Sequence, residues 1–537
     1  MKKMISRRQF IAAMGVVAAA GALAGCGGSG SSTTASTSTA SSTAPTTPAD
    51  PSERVEGGEM IFGTTDVLGE FFSPYKQNSL ASYGWPAYQP LAWQRKDQSW
   101  SPCLAESWER NDEACALIIH LVQNATFSDG TPLTAEDVVF SLGSRADYGT
   151  DSTIGSPTSV EAIDDYTVQI TWSSFSLNYE QWVLGQFIFS KAAFDANGLD
   201  WMLNNMLGSG PYTLQEFIPD VSLTYVRNEN YWGDQTAAPD TITFLYMSDA
   251  TTMLAAFMNG EIDRMNTGDP TVVDQLTAAG YTPYESQSVS SESQYLAIPL
   301  SIDPNDPLYK TEVRQAIFEY GIDWDTMAVG LGGSLGYHTD AIGQVGMTYY
   351  DPSIEKSGYD LEKAKQMLSD IGYPNGFTTT IYTSAEFSSA ATMLQAGLAE
   401  LGITADCQFV DYTLVQSDYI GAKATQTGIC ITGLFFPSTM QTDRFTKHIN
   451  PTATYGASST WDDEIQTLWT AVTEATTKDE EDAALLAYVD HYVHTGCWIW
   501  PMYNTSSKIF YQEWAHFTAN ALCGSSYDPM EMWTTRA

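Results

Sequence analysis

The chain has 537 residues, with 64 acidic against 24 basic side chains and a formal net charge of −40 at neutral pH. That balance excludes nucleic acid and anionic lipid surfaces as partners of the folded body, because each would be repelled. The length supports two or three domains with sizeable cores, and no apolar run beyond residue 25 approaches the roughly 18 residues of a membrane-spanning helix.

The first 25 residues fall into three zones. Lys2, Lys3, Arg7 and Arg8 give a basic start, Phe10 to Leu23 is an uncharged Ala-rich run, and Leu23-Ala-Gly-Cys26 closes it. An apolar run of about 14 residues is short for about 30 Å of hydrocarbon, so residues 1–25 read as an export signal. Ser6-Arg-Arg-Gln-Phe-Ile11 resembles a twin-arginine signal; an ordinary secretory signal that happens to hold two arginines is the alternative. Leu-Ala-Gly-Cys resembles a bacterial lipobox, which implies a diacylglyceryl group on Cys26, and two acyl chains suffice for stable anchoring. From Gly27 to about Pro51 the chain is nearly all Gly, Ser, Thr, Ala and Pro. Such a segment buries too little apolar surface to offset its ordering entropy, so residues 26–57 are expected to be a lipidated cysteine and a flexible tether.

The body opens with a strand over Glu59 to Thr64. A hairpin is expected from Glu106–Arg110 and Ala116–Leu121, and Phe127-Ser-Asp-Gly-Thr-Pro-Leu133 reads as a tight turn. Thr134, with Asp137 three residues on, is a capping-box-like helix start. Strands are expected at Val168–Trp172, after Gly208-Ser-Gly-Pro-Tyr212, at Val221–Arg227 and at Ile242–Met247, with a helix over Thr251–Asn259. A second region begins near Gln294-Tyr-Leu-Ala-Ile298. Helices are expected at Glu312–Tyr320, after Asp360, at Ser388–Leu401 and over Gln466–Val493, with strands at Ile403–Val410 and Trp498–Tyr503. Helices and strands in alternation argue for an α/β fold.

Six cysteines follow Cys26, and none shows a Cys-x-x-Cys spacing. Buried free thiols are the default, and Cys407 with Cys430, on nearby predicted strands, is the pair to consider for a disulfide. His491 and His494 stand at i, i+3 on a predicted helix, a spacing that chelates, but with no acidic or cysteine partner recognisable nearby they read as a solvated helix face. No metal site and no cofactor are expected. His-Glu-x-x-His and phosphate-loop patterns are absent from the sequence. The acidic excess fits a solvated surface better than a cationic ligand.

Several segments together resemble the family-5 extracellular solute-binding proteins, which include oligopeptide-, dipeptide- and nickel-binding components of ABC importers. They are Pro102-Cys-Leu-Ala-Glu-Ser-Trp108, Phe127 to Phe140, Gly208-Ser-Gly-Pro-Tyr212, Arg227-Asn228, Asn230-Tyr-Trp232, Gly260-Glu-Ile-Asp263, Val313-Arg-Gln-Ala-Ile317, Ile322-Asp323, Tyr359 to Lys365 and Gly372-Tyr-Pro-Asn-Gly376. Each is modest; in this order, over about 58 to 410, the set is specific. These motifs are scaffold rather than chemistry.

The resemblance implies a two-lobed periplasmic-binding-protein-like (type II) α/β fold with an extra domain inserted in the first lobe. Lobe I would comprise 58–80, 210–294 and 505–537, the inserted domain 81–209, and lobe II 295–504, with hinge crossings near Tyr295 and Asn504. It also implies a monomer that closes on a small solute and presents it to a permease and ATPase. In the family's peptide binders a Gly-Trp segment followed by an aspartate clamps the ligand's amino group. Here Gly433 fits, but Leu434 stands where Trp is usual and Asp443 lies far on. Phe71, Phe72, Gly433, Phe435 and Phe436 are the expected ligand contacts; core or interlobe packing is the alternative reading of the four phenylalanines. Binding of nickel, a chelate or another small molecule, a sensory lipoprotein and an exported hydrolase remain the other readings.

Overall fold

The computed structural model of the protein describes residues 50–65, 68, 71, 83–95, 99–148, 157–174, 177–234, 238–284, 292–301, 303–343, 349–415, 426–436, 449, 462–518, 522–523 and 526–536. The leader, Cys26, its linker, Phe72 and Asp443 lie outside the described residues. In chain order the main strands are β1 (Glu59–Thr64), β2 (Ala105–Asn111), β3 (Ala116–Leu121), β4 (Ser159–Asp164), β5 (Thr167–Thr171), β6 (Tyr212–Ile218), β7 (Ser222–Arg227) and β8 (Thr241–Tyr246). They continue with β9 (Arg264–Thr267), β10 (Glu292–Leu300), β11 (Gly336–Tyr337), β12 (Thr378–Thr383), β13 (Thr404–Phe409), β14 (Gly428–Phe436), β15 (Trp500–Ser506) and β16 (Lys508–Tyr511).

The first six-stranded sheet has the order β16-β9-β1-β8-β7-β6. Its centre is parallel, β1 running with β8 and β9, and its flanks are antiparallel. Alternation along β1 sends Met60 and Phe62 to one core with Leu223, Tyr225, Ile242 and Phe244. The opposite face packs on helices Ala250–Met258 and Pro270–Ala278 through Phe257, Met265, Val272 and Phe510. Both helices start at an aspartate: Asp249 accepts the Thr252 N–H at 2.7 Å and Asp269 the Thr271 N–H at 2.8 Å.

The second six-stranded sheet, β11-β15-β10-β14-β12-β13, combines a parallel run (β14, β12, β13) with antiparallel β10, β15 and β11. It carries a separate, larger core. Arg314, from the Val313-Arg-Gln-Ala-Ile317 motif, is inside that core at 4% exposure. Its guanidinium donates to the carbonyls of Gly496 (2.7 and 2.9 Å), Leu308 (2.9 Å) and Tyr309 (2.8 Å), and to the Thr311 hydroxyl (3.0 Å). It is an internal staple, its donors spent on backbone.

A four-stranded antiparallel sheet, β2-β3-β5-β4, holds a third core with helix Ala135–Tyr148. Only the return half of the expected capping box forms there: the Asp137 carboxylate accepts the Thr134 N–H (2.9 Å), the Thr134 hydroxyl (3.3 Å) and the Lys191 N–H (2.9 Å). The glycine motif at 208–210 lies flat on residues 86–88. A Cβ on Gly208 would sit 2.0 Å from the Ala87 carbonyl oxygen, so glycine is required by close approach rather than by a turn. Trp232 locks the same junction, its indole N–H reaching Gln89 Oε1 and the Ser209 carbonyl, both at 3.0 Å.

Two expectations are corrected, and the default reading of the cysteines holds. The helix predicted over 466–493 is two, Asp463–Glu474 and Lys478–Asp490, because Thr477 and Glu480 form a complete capping box that restarts the chain. Cys407 and Cys430 are free thiols: β12 lies between their strands, which puts them about 9.5 Å apart by strand spacing, beyond disulfide reach. His491 and His494 do not form a solvated face. Both are buried in a π-helical turn, His491 against Asp462 at 2.9 Å and His494 against the Ile354 carbonyl at 2.7 Å, with the Glu319 and Asp340 carboxylates each 3.5 Å from its ring.

Candidate functional site

In open α/β sheets, ligands bind beyond the carboxyl ends of the parallel strands, where helices begin and loops diverge. In the second sheet those ends are Thr383, Phe409 and Phe436. Antiparallel β10 and β15 bring Tyr295 and Tyr503 to the same edge as register partners. Their rings stack at 4.2 Å with 4° between planes, Phe387 meets Tyr295 edge-on at 5.6 Å, and Tyr412 follows Phe387 at 6.4 Å. The result is an aromatic shelf. Beyond its end, Phe409, Tyr412 and Leu414 are 50, 39 and 45% exposed, an apolar surface the fold leaves uncovered. Burial pushes the Tyr503 phenol well above the ordinary tyrosine value, and Tyr295 beside it adds to the shift, so Tyr503 is neutral at physiological pH.

Behind the shelf the two strands are tied by a buried amide knot. The Gln294 amide donates to the carbonyls of Ala341 (2.8 Å) and Gly343 (3.1 Å) and to Asn504 Oδ1 (3.1 Å). Asn504 donates in turn to Gly343 (2.8 Å), and the Gly343 N–H returns to Gln294 Oε1 (2.8 Å). β15 ends at Ser506 and β16 begins at Lys508, so Ser507 alone separates a strand of the second sheet from a strand of the first. Tyr284, whose N–H donates to Ile509, brings the chain back beside that link.

The sequence-expected residues distribute unevenly over this geometry. Gly433 lies in β14 directly opposite Tyr295, and a Cβ there would meet the Phe387 ring at an ordinary 3.4 Å. Leu434 is core at 5% exposure, which explains why an aliphatic side chain suits that position. Phe435 and Phe436 close β14 opposite Ser293 and Glu292, with their side chains outside the described residues. Phe71 is 2% exposed and packs edge-on against Phe217 at 5.0 Å, in the core of the first sheet. Tyr503, Phe387 and Tyr412 escaped sequence reasoning; the alternation around Gln294-Tyr-Leu-Ala-Ile298 signalled the strand but not its partner.

A separate groove of about 700 Å³ opens on the four-stranded sheet beside Glu106, His120, Asp164 and Asp165. No group of three or more His, Cys, Asp or Glu among the described residues is arranged to hold a metal ion. No helix among the described residues is long and apolar enough to cross a membrane.

The profile of the bacterial extracellular solute-binding proteins, family 5 Middle, matches residues 99–456. The chain belongs to this family. Heme-binding protein A of Haemophilus influenzae is 26% identical over 370 residues, which cover 62% of this chain and 65% of that protein. The periplasmic oligopeptide-binding protein OppA of Escherichia coli is 25% identical over 347 residues, 58% of this chain and 62% of OppA. The matched stretch is thus less than two thirds of either relative. The ABC transporter substrate-binding protein CtaP of Listeria monocytogenes superposes with a TM-score of 0.73 at 21% identity, over 90% of this chain and all of CtaP. That likeness is one of fold: a family-5 architecture, α/β and two-lobed, with the four-stranded domain set between strands of the first sheet.

Proposed function

We propose that this family-5 protein is the extracytoplasmic receptor of an ABC importer, capturing a peptide or similar small solute between its two lobes. The observation that carries the reading is the aromatic shelf at the carboxyl edge of the second sheet, beside a one-residue link to the first. An apolar surface left open where ligands enter such folds is best explained by an occupant. Membership of a solute-binding family and an oligopeptide-binding relative support the solute class. Lobe I is assigned to 58–80, 210–294 and 505–537, the inserted domain to 81–209 and lobe II to 295–504. Ligand touching both lobes selects the closed form, which the permease and ATPase then recognise.

The reading extends to the whole chain: export by residues 1–25, a diacylglyceryl anchor on Cys26, the Gly/Ser/Thr tether, and a monomeric body without catalysis. Native mass spectrometry of the exported protein from its own host, followed by thermal shift against peptides, Ni²⁺ and metal chelates, tests it. A bound solute at a hundredfold excess over Kd stabilises by about 2.7 kcal/mol. Phe435→Ala and Phe436→Ala should weaken binding and leave the fold intact; loss of stability with unchanged affinity would remove both from the site. Turnover of a bound compound would overturn the receptor reading.

A further inference from the structure

Two short π-helical turns, Ala316–Gly321 and His491–Thr495, face each other beside the second sheet through Glu319 and His494. Such turns are rare and recur at functional positions. His494 is 7% exposed. Its Nε2 lies 2.7 Å from the Ile354 carbonyl, which can only accept, so Nε2 carries a hydrogen. Its Nδ1 is buried and faces the Glu319 carboxylate at 3.5 Å, and among the described residues no donor is directed at it. A neutral ring would turn a lone pair towards that carboxylate. Only the imidazolium presents a hydrogen from both nitrogens.

The groups around the ring come from several elements. Asp340, just after β11, brings Oδ2 to 3.5 Å from Nε2, and His338 reaches the other oxygen of Asp340 at 3.1 Å. Glu355, beyond the turn Pro352–Ile354, is taken by the Asp340 N–H and the Thr339 hydroxyl, and Lys356 pairs outward with Asp490. Cys497 donates to the His494 carbonyl, and burial holds its thiol neutral. Arg314 is spent on the Gly496 carbonyl and its neighbours, and His491 turns to Asp462. Trp500 on β15 closes the remaining side edge-on at 5.9 Å. Burial opposes a charge on His494, but the Glu319 carboxylate, Asp340 and the Ile354 carbonyl outweigh it and raise its pKa above the ordinary histidine value.

Asp340 belongs to the segment 338–343, which also frames the shelf. The Ala341 and Gly343 carbonyls receive the amides of Gln294 and Asn504, and Asn504 donates to the Tyr337 hydroxyl at 3.3 Å. Tyr295 and Tyr503 are the chain neighbours of those two amides. One end of the segment therefore touches the His494 charge and the other holds the strands that carry the shelf.

We propose that His494 is a proton-operated latch: protonated, it fixes segment 338–343 against the two π-turns and keeps the shelf in place, and deprotonated, it releases that segment and weakens solute capture. The capture half rests on the receptor reading; the latch itself rests on the two acceptors that face the ring. With a raised pKa, the stabilisation is complete below the ordinary histidine value of about 6.5 and is lost as pH rises through the raised one.

Hydrogen exchange of the amides at 338–343 in the exported full chain, corrected for intrinsic rates, tests the latch, and titration calorimetry with Ala-Phe-Ala at the same pH values tests capture. In the wild type, protection of those amides should fall about tenfold between about pH 6 and pH 9, and peptide affinity should fall with it. His494→Gln, which cannot take up a proton, should show protection that is flat across that range. Glu319→Gln keeps the shape but removes the carboxylate facing Nδ1; it should move the midpoint about one pH unit lower, a second reading should His494→Gln fail to fold. Constant protection in the wild type, or the same loss in His494→Gln, overturns the latch. An unmoved midpoint in Glu319→Gln does so too. Loss of protection on schedule with no Ala-Phe-Ala binding at any pH supports the latch and sinks the peptide reading. Peptide affinity that stays constant while protection falls sinks the capture half and leaves the latch. Peptide binding with constant protection sinks the latch and leaves the receptor.

Discussion

The two six-stranded sheets each bury an arginine that has no carboxylate partner among the described residues, and they treat it differently. In the second, Arg314 spends its donors on three backbone carbonyls and a hydroxyl, so charge and fold are mutually satisfied. In the first, Arg264 lies between aromatic rings, with the Tyr511 and Tyr527 phenols beside it and its Nε unpaired. The contrast separates a charge whose donors are spent on the backbone from one held over aromatic rings, and the number of satisfied donors distinguishes them.

Substitution of each arginine should therefore break the molecule in different ways. Arg314→Met strands the carbonyls of Gly496, Leu308 and Tyr309 in the core and should cost about 4 kcal/mol in urea unfolding. A second test stays beside the second sheet. Asp340 is fully buried and accepts from His338 (3.1 Å), the N–H groups of Lys356 and Ser357 (both 2.7 Å) and the Ser357 hydroxyl, so Asp340→Ala should cost about 3 kcal/mol. Burial opposes its ionisation, but the hydrogen bonds from His338 and Ser357 outweigh it and lower its pKa. Its contribution is thus full above the ordinary carboxylate value of about 3.9 and lost as pH falls through the lowered one. The variant should flatten that acid limb; an unchanged limb would assign acid unfolding elsewhere.

Arg264→Met should by contrast shift stability by no more than about 1 kcal/mol, because the lost ring contacts are offset by removal of an uncompensated charge. A loss as large as that of Arg314→Met would make Arg264 a second structural staple. Tyr412→Ala, at the exposed end of the shelf, should cost under about 0.5 kcal/mol in stability while weakening solute binding by titration calorimetry. A small effect of the opposite sign is expected at Gly433→Ala. The added methyl meets the Phe387 ring at 3.4 Å and the Gln294 carbonyl oxygen at 3.9 Å, both ordinary contacts, and the stiffer unfolded chain should stabilise by about 0.5 kcal/mol in the same urea assay.

Much of the scaffold was legible in the sequence because it is written in local periodicity. The alternation of Glu59–Thr64 and the Thr-x-x-Asp start at Thr134 each needs only a few neighbouring residues to read. The shelf was not legible, since Tyr295 and Tyr503 meet through a register between strands some two hundred residues apart. Cys407 and Cys430 are the free thiols of the default reading; they stood as a pair to consider because sequence showed two nearby strands but not the third between them. Arg264 follows Gly260-Glu-Ile-Asp263 as an ordinary polar residue of a strand. Only the census of donors around it, which needs coordinates, sets it apart.

Ser507 is a single residue joining β15 to β16. One residue gives two soft torsions and about 3.8 Å of contour, too little for one sheet to slide past the other at that point. Whatever displacement the halves undergo there must be a swivel about a fixed pivot. Inserting two glycines after Ser507 would replace that rotation with slack.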